Sequence, residues 1–275
     1  MLNITRKELS ILICKRLEEE KEVSINKFNQ SKDKIGYFFV DDLLPKHIVD
    51  AIYQSFPKTN NMILRKSLRE YKYIAAQMDN YHPILEEVIY AFQEPNVVKI
   101  VSEICDLDDI HPDENLYAGG LSSMGHKNFL NPHLDNSHDK DRNMWRVLNL
   151  LFYVTPDWKD ENGGHLEVWP DGMNNPQTTI YSRYNRLAIM ATHDQSWHSV
   201  CPVNADKARS CVSNYYFSSK PFRETDSFHV TKFRGRPEEI VKDQILKVDA
   251  AIRSGVRKVF KKGVRENPHV YKKEE

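Results

Sequence analysis

Two residues that could share a metal ion stand close together in the run Phe129-Leu130-Asn131-Pro132-His133-Leu134-Asp135. On an extended chain, residues i and i+2 project to the same side, so the His133 imidazole and the Asp135 carboxylate can converge on one ion. An HxD pair alone is weak evidence, because an aspartate in a surface loop commonly caps a turn. The signal gains from His198, 65 positions after His133 (198 − 133), and from Arg209, 11 positions after His198 (209 − 198). Two imidazoles and one carboxylate make a facial triad that leaves three coordination positions open on non-haem iron(II), enough for a bidentate 2-oxo acid and dioxygen. Zinc more often takes a closed tetrahedral site or keeps one position open for water.

These residues need rigid strands beneath them, and the pattern from Asn115 to Phe217 supplies candidates. Arg146–Val154, Gly164–Trp169, Arg186–Thr192, His198–Val203 and Arg209–Phe217 are short β-rich runs. Pro156-Asp157, Asn162-Gly163-Gly164 and Pro170-Asp171-Gly172 are turn signals between them. Such spacing suggests a sandwich or barrel. The region before about residue 110 reads mostly helical: Ile48, Val49, Ile52 and Phe56 recur at helical spacing, as do Leu85, Val88, Ile89 and Phe92, and Pro95 opens a further stretch through Ile104. Between them Lys34–Leu44 contains a short strand.

Near the C-terminus, Gly235-Arg236-Pro237-Glu238-Glu239 reads as a helix start. Val241, Ile245, Val248, Ile252, Val256 and Val259 then lie on one face of a long helix. That face is expected to pack on the barrel, with a homodimer interface as the less favoured use.

Composition bounds the class. The chain has 275 residues, 40% hydrophobic and 28% charged, with 39 basic and 39 acidic residues. That fits one domain with extensions, and gives no global reason to expect nucleic acid or a membrane as partner. Leu9–Ile13 is apolar but interrupted by charge, so no secretion signal is expected. No apolar run reaches the ~20 residues that span a bilayer. Cys14, Cys105, Cys201 and Cys211 form no CxxC pair, so buried thiols in a reducing, cytoplasmic compartment are expected. Arg253–Glu275 carries eight basic and three acidic residues and could favour an anionic partner.

From Tyr117 to Phe217 the chain resembles the iron(II)- and 2-oxoglutarate-dependent oxygenase superfamily, and within it the prolyl 4-hydroxylase-like branch. The likeness rests on His133-Leu134-Asp135, on the run from Arg146 through Trp158, on Gly163–Pro170, on Asn185–Met190, on Trp197–Val203 and on Ala208–Phe217. The resemblance implies a mainly β core, a double-stranded β-helix (jelly roll) at residues 111–220, with N-terminal helices at 1–110 and a C-terminal helical extension at 221–275. It implies iron(II) on His133, Asp135 and His198, with 2-oxoglutarate and dioxygen as cosubstrates and ascorbate as an accessory reductant. Arg209 would then pair with the distal carboxylate of 2-oxoglutarate, a task suited to its planar fork of donors. Tyr153 would donate to the same carboxylate. Tyr117, on a strand before the metal loop, and Tyr215 are further candidates for the cosubstrate pocket.

His138, His165 and His193 do not fit the motif and are expected not to be ligands, and Trp169 and Trp197 are expected in the core or at its rim. Because Asp135 retains the carboxylate that halogenating relatives lack, the resemblance implies hydroxylation of a C–H bond with release of succinate and carbon dioxide, although desaturation and epimerisation use the same triad. Peptide or protein residues, free amino acids, and glycans or lipid-linked sugars remain candidate substrates. A non-catalytic jelly-roll binding module and a cupin-type enzyme using another metal are the alternatives.

Overall fold

The computed structural model describes residues 3–259 together with 270–271. The chain opens with two helices, α1 (Arg6–Glu19) and α2 (Lys21–Lys32). The first is set by Thr5, whose hydroxyl accepts from the Glu8 amide while the Glu8 carboxylate accepts from the Thr5 amide, a reciprocal cap that satisfies two otherwise orphaned donors. Its Leu9, Ile13 and Leu17 repeat every four residues and are buried. After strand β1 (Tyr37–Val40) come α3 (Lys46–Gln54), the hairpin β2 (Ile63–Lys66) and β3 (Glu70–Ala75), then α4 (Pro83–Ala91) and α5 (Pro95–Cys105). The last two both start on proline, whose missing amide costs nothing in a first helical turn.

The region expected to be mostly helical therefore also gives three strands to the sheet. The β2–β3 hairpin escaped the pattern because Ile63–Ala75 alternates with charged and half-buried residues on both faces.

The remaining strands are β4 (His111–Pro112), β5 (Gly120–Met124), β6 (Phe129–Leu134), β7 (Trp145–Tyr153), β8 (Leu166–Val168), β9 (Thr178–Ile180), β10 (Arg186–Ala191), β11 (His198–Val200), β12 (Arg209–Ser218) and β13 (Lys232–Phe233). All pairings are antiparallel. One half of the sheet runs β1-β10-β7-β12-β5 and the other β6-β11-β8-β9. β3 joins them, bonding to β5 through Tyr73–Ala75 and to β6 through Glu70 and Tyr71. The sheet thus folds on itself as a jelly roll.

Side-chain alternation sorts the two faces of the larger half. Leu148, Leu150 and Phe152 of β7, Leu187 and Ile189 of β10, and Val212 and Tyr216 of β12 share one hydrophobic core with α1 to α5. The opposite face, carrying Tyr153, Ala188, Met190 and Cys211, packs inside the roll against Leu166, Val168 and Ile180. Of the four free cysteines, Cys105 and Cys211 are buried, while Cys14 and Cys201 are half-buried.

Helix α6 (Ile240–Val259) is the last described helix, starting later than Pro237. The expected packing of its valine and isoleucine stripe on the barrel is not what the structure has. Val241 is 76% exposed, Val248 60% and Ile252 63%. The opposite face docks instead. Asp243 accepts from Arg234 (3.0 Å), Asp249 pairs with Arg69, Lys242 sits 4.8 Å over the Phe129 ring, and Arg253 donates to the Thr231 carbonyl (2.7 Å). Leu246 is buried among these contacts, a burial that contributes about 2 kcal/mol. The helix is held by four polar anchors and one leucine, which left its apolar stripe outward. Beyond Val259 the basic run lies outside the described residues, apart from 270–271, and Arg253 is already committed to Asp249 and Thr231. No helix among the described residues is long and apolar enough to cross a membrane.

Candidate metal and cosubstrate site

β6 and β11 pair so that His133 stands directly opposite His198. Each imidazole is fixed the same way. His133 Nδ1 contacts the Asn131 carbonyl and His198 Nδ1 the Ser196 carbonyl, both at 2.9 Å, so each ring donates through Nδ1 and presents the Nε2 lone pair. Those lone pairs point at Asp135, just past the end of β6: His133 Nε2 lies 3.6 Å from Oδ1 and His198 Nε2 3.7 Å from Oδ2. The Phe233 ring stacks on His133 with centroids 5.2 Å apart. Asp135 Oδ2 is buried with no hydrogen-bond partner. Two imidazole lone pairs and a carboxylate oxygen converging in a buried place, with ligand atoms within 4.8 Å of one another, fit a cation.

Burial by itself would raise the Asp135 carboxyl, but His133, the Arg146 guanidinium and His198 outweigh it and hold the acid well below the usual carboxylate range. Burial, reinforced by His133, lowers His198 to about 4 against the pull of Asp135. Both groups are therefore in their metal-binding forms at neutral pH.

Arg146 was not singled out in the sequence. It is buried, with Nη1 3.6 Å from Asp135 Oδ1 and its guanidinium 4.4 Å from the centre of the Tyr215 ring. A bulge puts it there. Tyr216 pairs with Leu148 but Phe217 pairs with Arg146, so Val147 is the extra residue. Without that insertion Arg146 would share the outward face of Leu148; with it, the arginine turns inward to the triad. Its Nε is buried without a partner. The signal available was a single charged residue in the mainly apolar β7 run. Glu70 and Lys72, an ion pair at 3.1 Å on β3, also act on the triad electrostatically and were missed.

Arg209 opens β12, on the same inward side as Cys211, Ser213 and Tyr215. It is 3% exposed. Nη2 donates to the Met124 sulfur at 3.1 Å and Nε has no partner. Among the described residues no carboxylate forms an ion pair with it. A buried guanidinium with a thioether as its hydrogen-bond acceptor among the described residues is the complement of an incoming carboxylate. Gly164, at φ +67°, lies against it: a Cβ there would sit 3.3 Å from Arg209 Cδ and 2.9 Å from Val203 Cγ2. Tyr153 packs its ring 5.2 Å from the same guanidinium, and its hydroxyl is buried with no hydrogen-bond partner. Burial pushes that phenol above its ordinary range.

The other two tyrosines stand nearer the metal ligands. Tyr215 lies beneath Arg146, and its phenol is raised by burial and by Asp135. Tyr117 falls in the loop before β5 rather than on a strand, because the Asp113 carboxylate ties down the amides of Tyr117, Ala118 and Gly119. Its hydroxyl is 3.5 Å from Asn136 Nδ2. Residues 227–233 form the neighbouring wall: His229 and Ser137 exchange hydrogen bonds, and Phe228 stacks on Trp145 at 3.9 Å.

Of the histidines set aside, His165 bonds the Asp160 carbonyl and the Ser182 amide, and His138 the Asp139 carbonyl. His193 does lie in a cluster with Asp194 and Asp226, yet its two nitrogens meet the Ile35 carbonyl and the Gln195 amide. Trp169 is buried and donates to Ser199 at 2.9 Å, and Arg234 lies 5.9 Å from the Trp197 ring.

Residues 119–217 match the 2OG-Fe(II) oxygenase superfamily. No curated protein matches in sequence. The fold is similar to a prolyl-4-hydroxylase from Pseudomonas putida, with a TM-score of 0.53 and 13% identity over 71% of this chain and 99% of that one. It is similar to a prolyl 4-hydroxylase from Phytophthora capsici, with a TM-score of 0.55 and 18% identity over 96% and 82%. It is also similar to SnoK, a non-heme alpha-ketoglutarate-dependent carbocyclase of nogalamycin biosynthesis, with a TM-score of 0.56 and 14% identity over 82% and 91%. Members of the superfamily use iron(II), 2-oxoglutarate and dioxygen.

Proposed function

We propose that this chain, whose β core is that of the 2OG-Fe(II) oxygenase superfamily, is a hydroxylase acting as a single domain, with residues 1–110 and 221–275 supporting the core. The observation that carries the reading is the pairing of two features in one roll: the His133, Asp135 and His198 ligand atoms converging within 4.8 Å of one another, and the buried Arg209, which no carboxylate pairs among the described residues. Iron(II) would be held by the first set and the distal carboxylate of 2-oxoglutarate by Arg209, with Tyr153 as its second donor. When bound, the metal and cosubstrate supply the oxidising power for C–H hydroxylation, with loss of succinate and carbon dioxide.

The chain's own residues bind, orient and exclude water. The carbonyls of Asn131 and Ser196 hold both imidazoles in the ligating tautomer. With His133, Arg146 helps to keep Asp135 ionised. Phe233 covers His133, and Met124 and Tyr153 shield Arg209 from solvent. Hydroxylation rather than halogenation is supported by the carboxylate at position 135.

A residue within a peptide or protein is the first substrate class to test, supported by the similarity to prolyl 4-hydroxylases; free amino acids and glycans follow, since SnoK has the same fold and a different role. The test is iron- and 2-oxoglutarate-dependent succinate formation, stimulated by a proline-containing peptide set and abolished by Asp135→Ala. Stimulation by no class tested, with iron and 2-oxoglutarate both bound, would contradict the hydroxylase reading.

A further inference from the structure

The outward face of α6 carries Val241, Gln244, Ile245, Val248, Ala251, Ile252, Gly255 and Val256, all exposed. Gln244 is its one polar member among the described residues, and no charge interrupts it over four turns. Together with Ile240, 70% exposed, these side chains leave on the order of 600 Å² of apolar surface open, the upper end of what a monomer ordinarily shows. The docked face cannot be exchanged for this one, because Asp243, Asp249 and Arg253 are fixed to Arg234, Arg69 and Thr231.

We propose that a second copy of this chain covers the stripe, the two α6 helices packing antiparallel about a two-fold axis at Val248. The sequence of the stripe is the argument for a copy of itself. Its first half is bulky, with Ile240, Val241 and Ile245, while its second half contains the small residues Ala251 and Gly255, and a Cβ at Gly255 would meet nothing within 4 Å. Reversing one helix on the other about Val248 sets Ile245 beside Ala251 and Val241 beside Gly255, large against small, so that ridges enter grooves. Val241, Ile245, Val248 and Ile252 are spaced by four, three and four, the spacing of a helix-pairing seam. Two such faces bury about 1,200 Å² in all, the lower bound of a stable interface.

A membrane surface is the other occupant of an amphipathic helix, and it fits less well. Interfacial helices carry aromatic residues on the apolar face and free cations beside it. Among the described side chains this face has no aromatic residue, and Lys242, Lys247 and Arg253 are paired with Glu239, Asp243 and Asp249.

The experiment is sedimentation equilibrium of the full chain across the micromolar range, beside Ile245→Glu and Val248→Glu, whose exposed positions leave folding intact. The wild type is expected at twice the 32.2 kDa chain mass, with both variants at the single-chain mass and unchanged in iron binding. Val248→Cys should oxidise to a cross-linked pair, and Ile245→Cys should cross-link to Ala251→Cys in a mixture more readily than to itself. A wild type that stays single, association that survives both glutamates, or a single chain that co-sediments with anionic vesicles would each overturn the proposal.

Discussion

His133 and His198 face each other across the β6–β11 pair with ring centroids 4.1 Å apart, each donating from Nδ1 to a carbonyl two residues earlier and turning the Nε2 lone pair toward Asp135. Residues separated by 65 positions in the chain thus meet as cross-strand neighbours, and the aspartate follows by strand alternation. Arg209 and Tyr215 lie on one side of β12, which sets the cosubstrate anchor at one end of the strand and Arg146 at the other.

Arg209→Ala should weaken 2-oxoglutarate binding roughly 30-fold or more, since it removes the buried partner of a carboxylate. Arg209→Lys should recover little, because an ammonium keeps the charge and loses the fork. Calorimetry with iron-loaded protein measures both; equal affinity in Arg209→Ala would place the cosubstrate elsewhere.

Gly164→Ala should reproduce a milder form of that defect, about tenfold, by strain at positive φ and by pressing on Arg209 and Val203. Iron affinity should not change, because Gly164 lies against the arginine and not the triad. A loss of iron binding equal to the loss of 2-oxoglutarate binding would contradict this separation.

Arg146→Met should lower iron affinity by about 10- to 100-fold, the usual effect of removing a group that orients a metal ligand. Deleting Val147 removes the bulge and should have a like effect with the arginine still present. Competition for iron(II) against a calibrated chelator gives the number; unchanged affinity in both variants would show that Asp135 needs no such support.

The pH dependence of the metal-free protein should carry a definite sign. Burial lowers His198 and His193 to about 4, from an ordinary value of 6.5. Between those values these two histidines hold up to two more protons in the unfolded chain than in the folded one, and the lowered His165 and His229 act in the same direction, so folding stability rises with pH across that window. Urea midpoints at pH 5 and pH 7 test this, with the higher midpoint expected at pH 7. Iron(II) should steepen the difference, because binding requires neutral imidazoles.

The strands that hold this site were legible because β7, β10 and β12 are rich in β-branched, aromatic and other apolar residues and bounded by turns, and the ligand set was legible because alternation fixes which side chains converge. Arg146 was not, since its direction depends on one inserted residue whose effect appears only when β7 is paired with β12. The β2–β3 hairpin was hidden by charge on both faces. For α6, periodicity identified the stripe correctly and gave its direction wrongly: ion pairs formed with residues as distant as Arg69 decided which face docks, and no local pattern records them.

The most direct test of the central assignment is anaerobic titration of the purified chain with iron(II) and 2-oxoglutarate, followed by the weak visible metal-to-ligand charge-transfer band. The wild type should develop the band only when both are present, and His133→Ala and Arg209→Ala should each weaken it, the first through iron and the second through 2-oxoglutarate. A folded wild type that shows no band and no affinity for either component would contradict the assignment and leave a jelly roll that binds without this chemistry.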